Sequence, residues 1–282
     1  MTLILWKTNL IKPFIKYYIK DRLHLLNQTK QLQRSEEIPV LIFTMAKVGS
    51  SSVYHSLRKQ SNIPCFHIHN LSIEEELQAK ALCKEKGVYP GSRTPVDLIN
   101  REIIKKKRSY KIISLFRNPI ERNISAFFEA FQIHTGVSAE SYKGSLLDLE
   151  KVYHEKLSHY YPILWYEKQF RQSTNINVYD TSFDKNKGYV TVNENDIKLL
   201  LINSKVDDIV KEKVIKDFCG IENFKLKNVN ITGKSKASSL YTDFKNYIRF
   251  SEDYLSSLLN TEYMNHFFSE EEKNLLFNKW SK

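Results

Sequence analysis

A short segment rich in glycine and serine follows the first apolar run of the chain. Val40–Met45 (VLIFTM) predicts a buried strand, and Ala46–Ser52 (AKVGSSS) joins it to a helix predicted over Ser51–Lys59. Backbone N–H groups at a helix N-terminus point towards a bound anion, and Gly49 permits its close approach. The hydroxyls of Ser50, Ser51 and Ser52 would add further donors. The segment therefore predicts a cradle for a phosphate-like anion.

A second set of anion-binding residue types follows the apolar run Tyr110–Phe116 (YKIISLF), which predicts another buried strand. Arg117 comes directly after this run, and Arg122 and Ser125 follow in a helix that begins near Pro119. Because Arg122 and Ser125 are three residues apart, they share a helix face near its positive end. An arginine fork, a hydroxyl and a helix terminus together predict a second phosphate site.

The first segment differs from the loop of ATP-binding proteins. A Walker A loop has the form GxxxxGK[ST], in which lysine follows the last glycine and a hydroxyl that binds Mg²⁺ comes next. Here Lys47 precedes Gly49, and the later strand leads into Arg117 rather than a metal-binding Asp. The pattern therefore disfavours a nucleotide kinase, which is kept as an alternative.

Alternating strands and helices must position these residues. Pro64–Asn70 (PCFHIHN) predicts a second strand, and Ser72 with Glu75 forms a capping-box pattern that begins a helix ending near Lys86. Another helix begins at Thr94–Asp97. Further strands are predicted at 176–180 (INVYD) and 197–203 (IKLLLIN), and further helices at 206–218 and from the capping box at Ser269 to about Trp280.

This alternation predicts an α/β fold with a mainly parallel central sheet flanked by helices. In such folds ligands bind outside the carboxyl ends of the strands. Both anion-binding segments follow strands, so we expect Lys47 and Arg117 at the same edge of the sheet.

The composition suits a folded, basic protein. The chain has 282 residues, 41% of them apolar, and 43 Lys and Arg against 32 Asp and Glu give a formal charge of +11. A polyanionic partner is expected from this charge. The three cysteines, Cys65, Cys83 and Cys219, form no CxxC pair and predict reduced thiols in a cytoplasm.

The first 36 residues are distinct from the rest, which predicts a basic, aromatic helix and linker at 1–36 and one large domain at 37–282. No run approaches the roughly 20 apolar residues of a membrane span, and no signal-peptide pattern is present. The helix is expected either to contact an anionic membrane surface or to pack on its own domain. Residues 27–39 predict a polar linker. The lysines that interrupt the apolar residues are Lys7, Lys12, Lys16 and Lys20.

Taken in order, the two anion-binding segments resemble those of sulfotransferases that use 3′-phosphoadenosine 5′-phosphosulfate (PAPS), especially the carbohydrate branch. The 5′-phosphosulfate loop of that family has the form Lys-x-Gly followed by three Ser or Thr, and its 3′-phosphate element has the form Arg-[Asp/Asn]-Pro-x-x-Arg-x-x-Ser. The matching residues are Lys47, Gly49, Ser50, Ser51 and Ser52 in the first motif, and Arg117, Asn118, Pro119, Arg122 and Ser125 in the second.

The resemblance to these sulfotransferases covers about Val40 to Phe131. Two later spans, 179–189 (YDTSFDKNKGY) and 230–245 (NITGKSKASSLYTDFK), are similar to bacterial proteins labelled putative capsular polysaccharide synthesis proteins.

The resemblance implies a fold like that of P-loop NTPases, and in-line sulfuryl transfer from PAPS to an acceptor hydroxyl without a metal. Lys47 would neutralise the bridging oxygen as the 5′-phosphate leaves, while Gly49, Ser50, Ser51 and Ser52 hold the phosphosulfate. Arg117 and Ser125 would bind the 3′-phosphate. Arg122 would either bind the same phosphate or brace the helix. Lys234 and Lys236, in the loop ITGKSKAS, would close over the nucleotide.

The acceptor hydroxyl needs a base, and the segment FHIHN supplies the first candidates. His67 and His69 are two residues apart, so on a strand both face the same side, at its carboxyl end. This resembles the His-x-His of the uronyl 2-O-sulfotransferases. We favour His69 because it lies nearer the strand end. Other sulfotransferases use glutamate, so Glu74, Glu75 and Glu129 stay open.

The acceptor is expected to be a glycan, by the resemblance, with a small alcohol or lipid headgroup as alternatives. A non-catalytic polyanion-binding or nucleic-acid-binding protein is the remaining class, but the basic residues are dispersed and show no nucleic-acid-binding signature, so no nucleic acid is expected. Four Asn-x-[Ser/Thr] sequons occur, and a glycan on Asn123 would obstruct the second motif. This favours a bacterial cytoplasm, at or away from the inner face of the membrane.

Overall fold

The apolar runs of the sequence form the strands of one central sheet. The computed structural model describes residue 19 and residues 22–86, 95–227 and 236–282. Within them the strands are β1 (Val40–Phe43), β2 (Cys65–Ile68), β3 (Tyr110–Phe116), β4 (Tyr189–Glu194) and β5 (Ile197–Asn203).

The sheet has the order β2–β1–β3–β5–β4. The first four of these pair in parallel, and β4 adds an antiparallel edge to β5. All four residues of β1 are fully buried, as expected for a central parallel strand with both faces covered. The predicted α/β fold with a mainly parallel sheet flanked by helices is confirmed.

Helices make up most of the remaining described residues. They are α1 (22–34), α2 (Ser50–Gln60), α3 (Ile73–Glu85), α4 (Val96–Ile99), α5 (Pro119–Glu129), α6 (Phe131–Thr135), α7 (Leu146–Lys156), α8 (Tyr161–Trp165), α9 (Gln172–Thr174), α10 (Asp208–Cys219), α11 (Lys236–Tyr247), α12 (Glu252–Leu259), α13 (Glu262–Phe267) and α14 (Glu270–Trp280). Two π-helical turns, Asn100–Ile104 and Tyr166–Arg171, and two 3₁₀ turns, Ala139–Ser141 and Val178–Asp180, complete the set.

The predicted helix starts follow from side-chain capping. The Ser72 side chain accepts from the backbone N–H of Glu75 at the start of α3. Ser269 and Glu272 form a reciprocal capping box at the start of α14, which ends at Trp280 as predicted.

Two strand predictions differ from the structure. The segment 176–180 was expected as a strand, but Val178–Asp180 is a 3₁₀ turn. The Asn177 side chain accepts from the Tyr179 N–H and donates to Asp180, and such local bonds compete with a strand ladder. Conversely, β4 was not predicted, although its β-branched residues lead into a turn at Asn195, where φ is 51°.

The expected polar linker is also wrong in part, because residues 27–34 continue α1. Leu32 is buried in the core, and the Gln28 amide donates to the Cys65 carbonyl at 3.5 Å. Arg108 donates to the carbonyls of Leu32, Ser35 and Glu37, which fixes the segment against the domain. The basic helix predicted before it falls mainly on residues 1–18, which lie outside the described residues.

Two expectations about thiols and membranes can be compared with the structure. Cys65, Cys83 and Cys219 are all free thiols. In the described part of the chain, no helix is both long enough and apolar enough to cross a bilayer.

Candidate functional site

The turn between β1 and α2 has an unusual backbone. Lys47 and Gly49 both have positive φ, 70° and 85°. For a residue other than glycine this left-handed conformation costs roughly 1–2 kcal/mol, so Lys47 is held there by its surroundings. A Cβ added at Gly49 would meet no atom within 4 Å, which leaves open space above the start of α2 at Ser50.

Arg117 and Arg122, from the second predicted anion-binding segment, hydrogen-bond to the backbone carbonyls of this turn. Arg122, which is buried, donates from Nε to the Ala46 carbonyl at 3.1 Å and lies over the Tyr161 ring at 4.8 Å. Arg117 donates to the Lys47 carbonyl at 3.5 Å. The two anion-binding segments predicted from the sequence therefore meet through consecutive carbonyls of one turn.

Arg117 is oriented by residues from three elements. Its guanidinium donates to Glu121 Oε2 at 3.2 Å, and Asn118, the N-cap of α5, donates to the same oxygen at 3.2 Å. Lys279 of α14 reaches the other oxygen at 2.8 Å. Tyr263 of α13 donates its hydroxyl to the Arg117 carbonyl at 2.8 Å.

The Glu121 carboxylate is therefore the centre of a charged network. Burial acts to raise its pKa, but the hydrogen bond from Lys279 and the charges of Arg117 and Lys279 outweigh burial and lower the pKa to about 2. Glu121 consequently stays ionised and bonded to Arg117 at every ordinary pH.

The two histidines face the same side, as predicted for alternate residues of a strand. Their ring centroids are 4.8 Å apart. His67 Nε2 lies 2.9 Å from the Ser50 hydroxyl, and its ring stacks on Tyr54 at 5.5 Å. His69 Nδ1 lies 2.6 Å from the Thr44 carbonyl, and its own carbonyl accepts from Trp165 at 3.0 Å.

The bond to Thr44 decides the tautomer of His69. A carbonyl oxygen only accepts, so Nδ1 must carry the proton and, in the neutral ring, Nε2 is the basic nitrogen. Burial lowers the pKa of His69, with Thr44 and Glu129 acting in the opposite direction. Burial likewise lowers the pKa of His67 to about 3. Both imidazoles are therefore neutral at pH 7.

These groups line one cavity of about 730 Å³ at the carboxyl ends of β1, β2 and β3. Eight residues predicted from the sequence are brought together there: Lys47, Gly49, Ser50, Ser51, His67, His69, Arg117 and Ser125.

Two other predicted residues, Ser52 and Arg122, are not part of the lining of this cavity. Ser52 donates its backbone N–H to the Gly49 carbonyl at 3.3 Å inside the first turn of α2. Arg122 is occupied by the Ala46 carbonyl and by Asn123. Lys234 lies outside the described residues, and Lys236 begins α11 with an undescribed side chain.

The cavity also contains residues that were not assigned to the nucleotide from the sequence. Glu129, considered only as a base, lies 3.5 Å from Lys47 Nζ. Phe128 and Tyr241 contribute aromatic walls, their ring centroids 5.2 Å apart. Ser238 and Thr242 line the cavity from α11. The sequence signal for α11 was its similarity to the capsule-related proteins, which carries no side-chain roles.

A second groove is lined by the segment that follows β2. Two cavities of about 690 and 620 Å³ share Leu71, Ser72, Glu74 and Asn100. Leu71 is two residues from His69, so their Cα atoms lie within roughly 7 Å of each other. The ionisable side chains of this second groove balance in charge, with Glu74, Glu75 and Asp97 against Arg101, Lys105 and Lys168. Both π-helical turns contribute residues to it, and such turns are frequent at functional sites.

The sequon at Asn123 is inaccessible in the folded chain. Asn123 is fully buried, and its amide donates to the His159 carbonyl at 2.8 Å. A folded molecule therefore has no room for a glycan at this amide.

The described residues contain no group of three or more His, Cys, Asp or Glu side chains placed to hold a metal ion.

One family model matches part of the chain. The family model NKWYS, described as a putative capsular polysaccharide synthesis protein, matches residues 145–269. The matched region includes Ser238, Tyr241 and Thr242 of the cavity but neither Lys47 nor Arg117. No curated protein and no solved structure matches the chain. Over residues 145–269 the chain is thus similar to proteins described by a role in capsular polysaccharide synthesis.

Proposed function

We propose that the protein is a sulfotransferase with a P-loop-like fold that transfers a sulfuryl group from PAPS to a hydroxyl of a carbohydrate. The observation that carries this proposal is the shared cavity, in which the Lys47 turn, Arg117 with Ser125, and a neutral histidine with a fixed tautomer all meet. The two anion sites and the base are the groups that the reaction needs.

The donor is held at both ends. The first N–H groups of α2 and the hydroxyls of Ser50 and Ser51 bind the 5′-phosphosulfate. Arg117 and Ser125 bind the 3′-phosphate, and Glu121 keeps the arginine aimed into the cavity. We assign bracing of the turn, rather than phosphate binding, to Arg122, because its Nε is bonded to the Ala46 carbonyl.

His69 accepts the proton of the acceptor hydroxyl at Nε2. As the acceptor oxygen forms its bond to sulfur, the bond from sulfur to the bridging oxygen breaks and the electron pair stays on the 5′-phosphate. Lys47 stabilises that developing charge. The products are the sulfated hydroxyl, 3′,5′-bisphosphoadenosine and a protonated His69. Lys47 lies 3.5 Å from Glu129, so donor binding exchanges one anionic partner of the lysine for another.

The second groove is assigned to the acceptor. Its lining includes Leu71, two residues from the proposed base, and its balanced charges suit a hydroxyl-rich chain better than a second polyanion. The similarity of residues 145–269 to capsule-synthesis proteins supports a polysaccharide as that chain.

Thermal unfolding with three ligands separates this proposal from its alternatives. We expect 3′,5′-bisphosphoadenosine to raise the melting temperature, because it binds only the folded state, whereas Mg-ATP and a single-stranded oligonucleotide at the same concentration should raise it less. Greater stabilisation by Mg-ATP would favour a kinase-like P-loop enzyme. Greater stabilisation by the oligonucleotide would favour a nucleic-acid-binding protein.

A further inference from the structure

The outer face of α1 carries an apolar stripe. Leu23 and Leu26 of α1 are three residues apart, and Ile19, which is also helical, precedes Leu23 by four residues; this spacing places the three side chains along one side of a helix. Their exposed fractions are 52%, 56% and 54%. Scattered single exposed leucines are normal, but three aligned ones indicate a contact surface.

The opposite face of α1 fixes which way this stripe points. Gln28 and Leu32 are buried against the domain. Gln31 donates to the carbonyls of Asn62 and Ile63 at 3.3 and 3.2 Å, just before β2. Since α1 is held along this inner face, the apolar stripe is directed outward.

The charged residues near the stripe are basic with one exception, Asp21. Residues 22–34 contain Arg22, Lys30 and Arg34 and no Asp or Glu. In the sequence just before them, residues 1–20 contain four lysines, no acidic residue and a high share of apolar and aromatic side chains. A helix with apolar residues on one face and lysine or arginine around them is the pattern of binding to an anionic lipid interface.

We propose that Ile19, Leu23 and Leu26 lie on an anionic membrane surface, with the basic residues around them contacting lipid headgroups. A second copy of the chain fits this stripe less well than an anionic membrane does, because two such faces would bring like charges together. This proposal does not depend on the sulfotransferase assignment.

Vesicle co-sedimentation of the full chain tests the proposal. The probes are phosphatidylcholine vesicles with and without phosphatidylglycerol. We expect binding to the anionic vesicles that weakens as salt is raised, since headgroup attraction is screened, and little binding to the neutral ones. Leu23→Gln with Leu26→Gln should weaken binding at least 10-fold. The matched control is Leu275→Gln, at a leucine of α14 that is 63% exposed, and it should bind like the wild type.

Three outcomes would overturn the proposal. One is wild-type binding no greater on anionic than on neutral vesicles. A second is equal loss in the α1 variant and in Leu275→Gln. The third is a concentration-dependent dimer, seen by sedimentation velocity, that the α1 variant abolishes, which would make the stripe an interface between copies. Unchanged melting temperatures of both variants verify that each is folded.

Discussion

At the scale of single residues, His69 is the group whose role can be separated most cleanly from binding. Its Nδ1–H is held by Thr44, so only Nε2 can accept a proton from an acceptor. We expect His69→Ala to keep its affinity for 3′,5′-bisphosphoadenosine and to lose roughly 10²–10⁴-fold in the rate of sulfuryl transfer, the range of a general base. Transfer assays and isothermal titration on the same preparation measure the two effects.

The rate profile of the wild type supplies an independent readout for His69. The pKa of the imidazole is lowered from 6.5 by burial, so the acidic limb of the rate profile should lie below pH 6.5 and be absent in His69→Ala. His67→Ala should be less impaired, because His67 bonds Ser50 rather than an acceptor. Normal transfer by His69→Ala, together with inactivity of Glu129→Gln, would instead make a carboxylate the base.

At the scale of elements, the proposed donor site depends on the contact between α14 and α5. Lys279 bonds Glu121, which in turn orients Arg117. We expect Lys279→Met to destabilise the fold by about 1 kcal/mol, near the upper limit for an exposed ion pair. Affinity for the bisphosphate should fall several-fold. Without Lys279, Glu121 would form a stronger ion pair with Arg117, and the arginine would then be less available to the 3′-phosphate. Urea unfolding and isothermal titration measure these effects.

The control for Lys279→Met is Lys216→Met, at an exposed lysine of α10. The low pKa of Glu121 contributes stability above pH 4.5, and this contribution is lost as the pH falls towards 2. Lys279→Met should therefore also reduce the loss of stability over this acid range. An identical acid profile in the two variants would contradict the proposed link.

The elements that were predicted correctly are those with strong local signals. Continuous apolar runs identified β1, β3 and β5, and Ser–Glu capping pairs located the starts of α3 and α14. The segment 176–180 has the composition of a strand, but Asn177 closes a local turn that outweighs its propensity. The strand β4 needs β5 as its partner, and that pairing is not visible in the local pattern.

At the scale of the whole molecule, two buried neutral imidazoles make the fold sensitive to acid. The pKa of His67 is lowered from 6.5 to about 3, so the unfolded chain binds this proton more strongly and stability falls as the pH drops below 6.5. Between the folded and unfolded pKa values, each group of this kind lowers the free energy of unfolding by about 1.4 kcal/mol per unit of falling pH. Between pH 7.5 and 5, His67→Gln should lose about 2 kcal/mol less stability than the wild type. Urea unfolding at the two pH values measures this difference.

Only part of the site could be predicted from the sequence. Spacing identified the Lys47 turn, Arg117, Ser125 and the His pair, because each follows a strand whose end lies at the same edge of the sheet. Spacing did not reveal that Arg122 points to the Ala46 carbonyl. The approach of Lys279 to Glu121 joins residues 158 positions apart and depends on the packing of α14.

The most direct test of the account is whether Arg117 recognises a 3′-phosphate. Isothermal titration compares 3′,5′-bisphosphoadenosine with adenosine 5′-monophosphate, which lacks that phosphate, on the wild type and on Arg117→Ala. We predict that the wild type prefers the bisphosphate by on the order of 10- to 100-fold, as expected for a charged hydrogen bond, and that Arg117→Ala removes most of this preference while keeping affinity for the monophosphate. Equal binding of the two nucleotides by the wild type, or an undiminished preference in Arg117→Ala, would contradict the account.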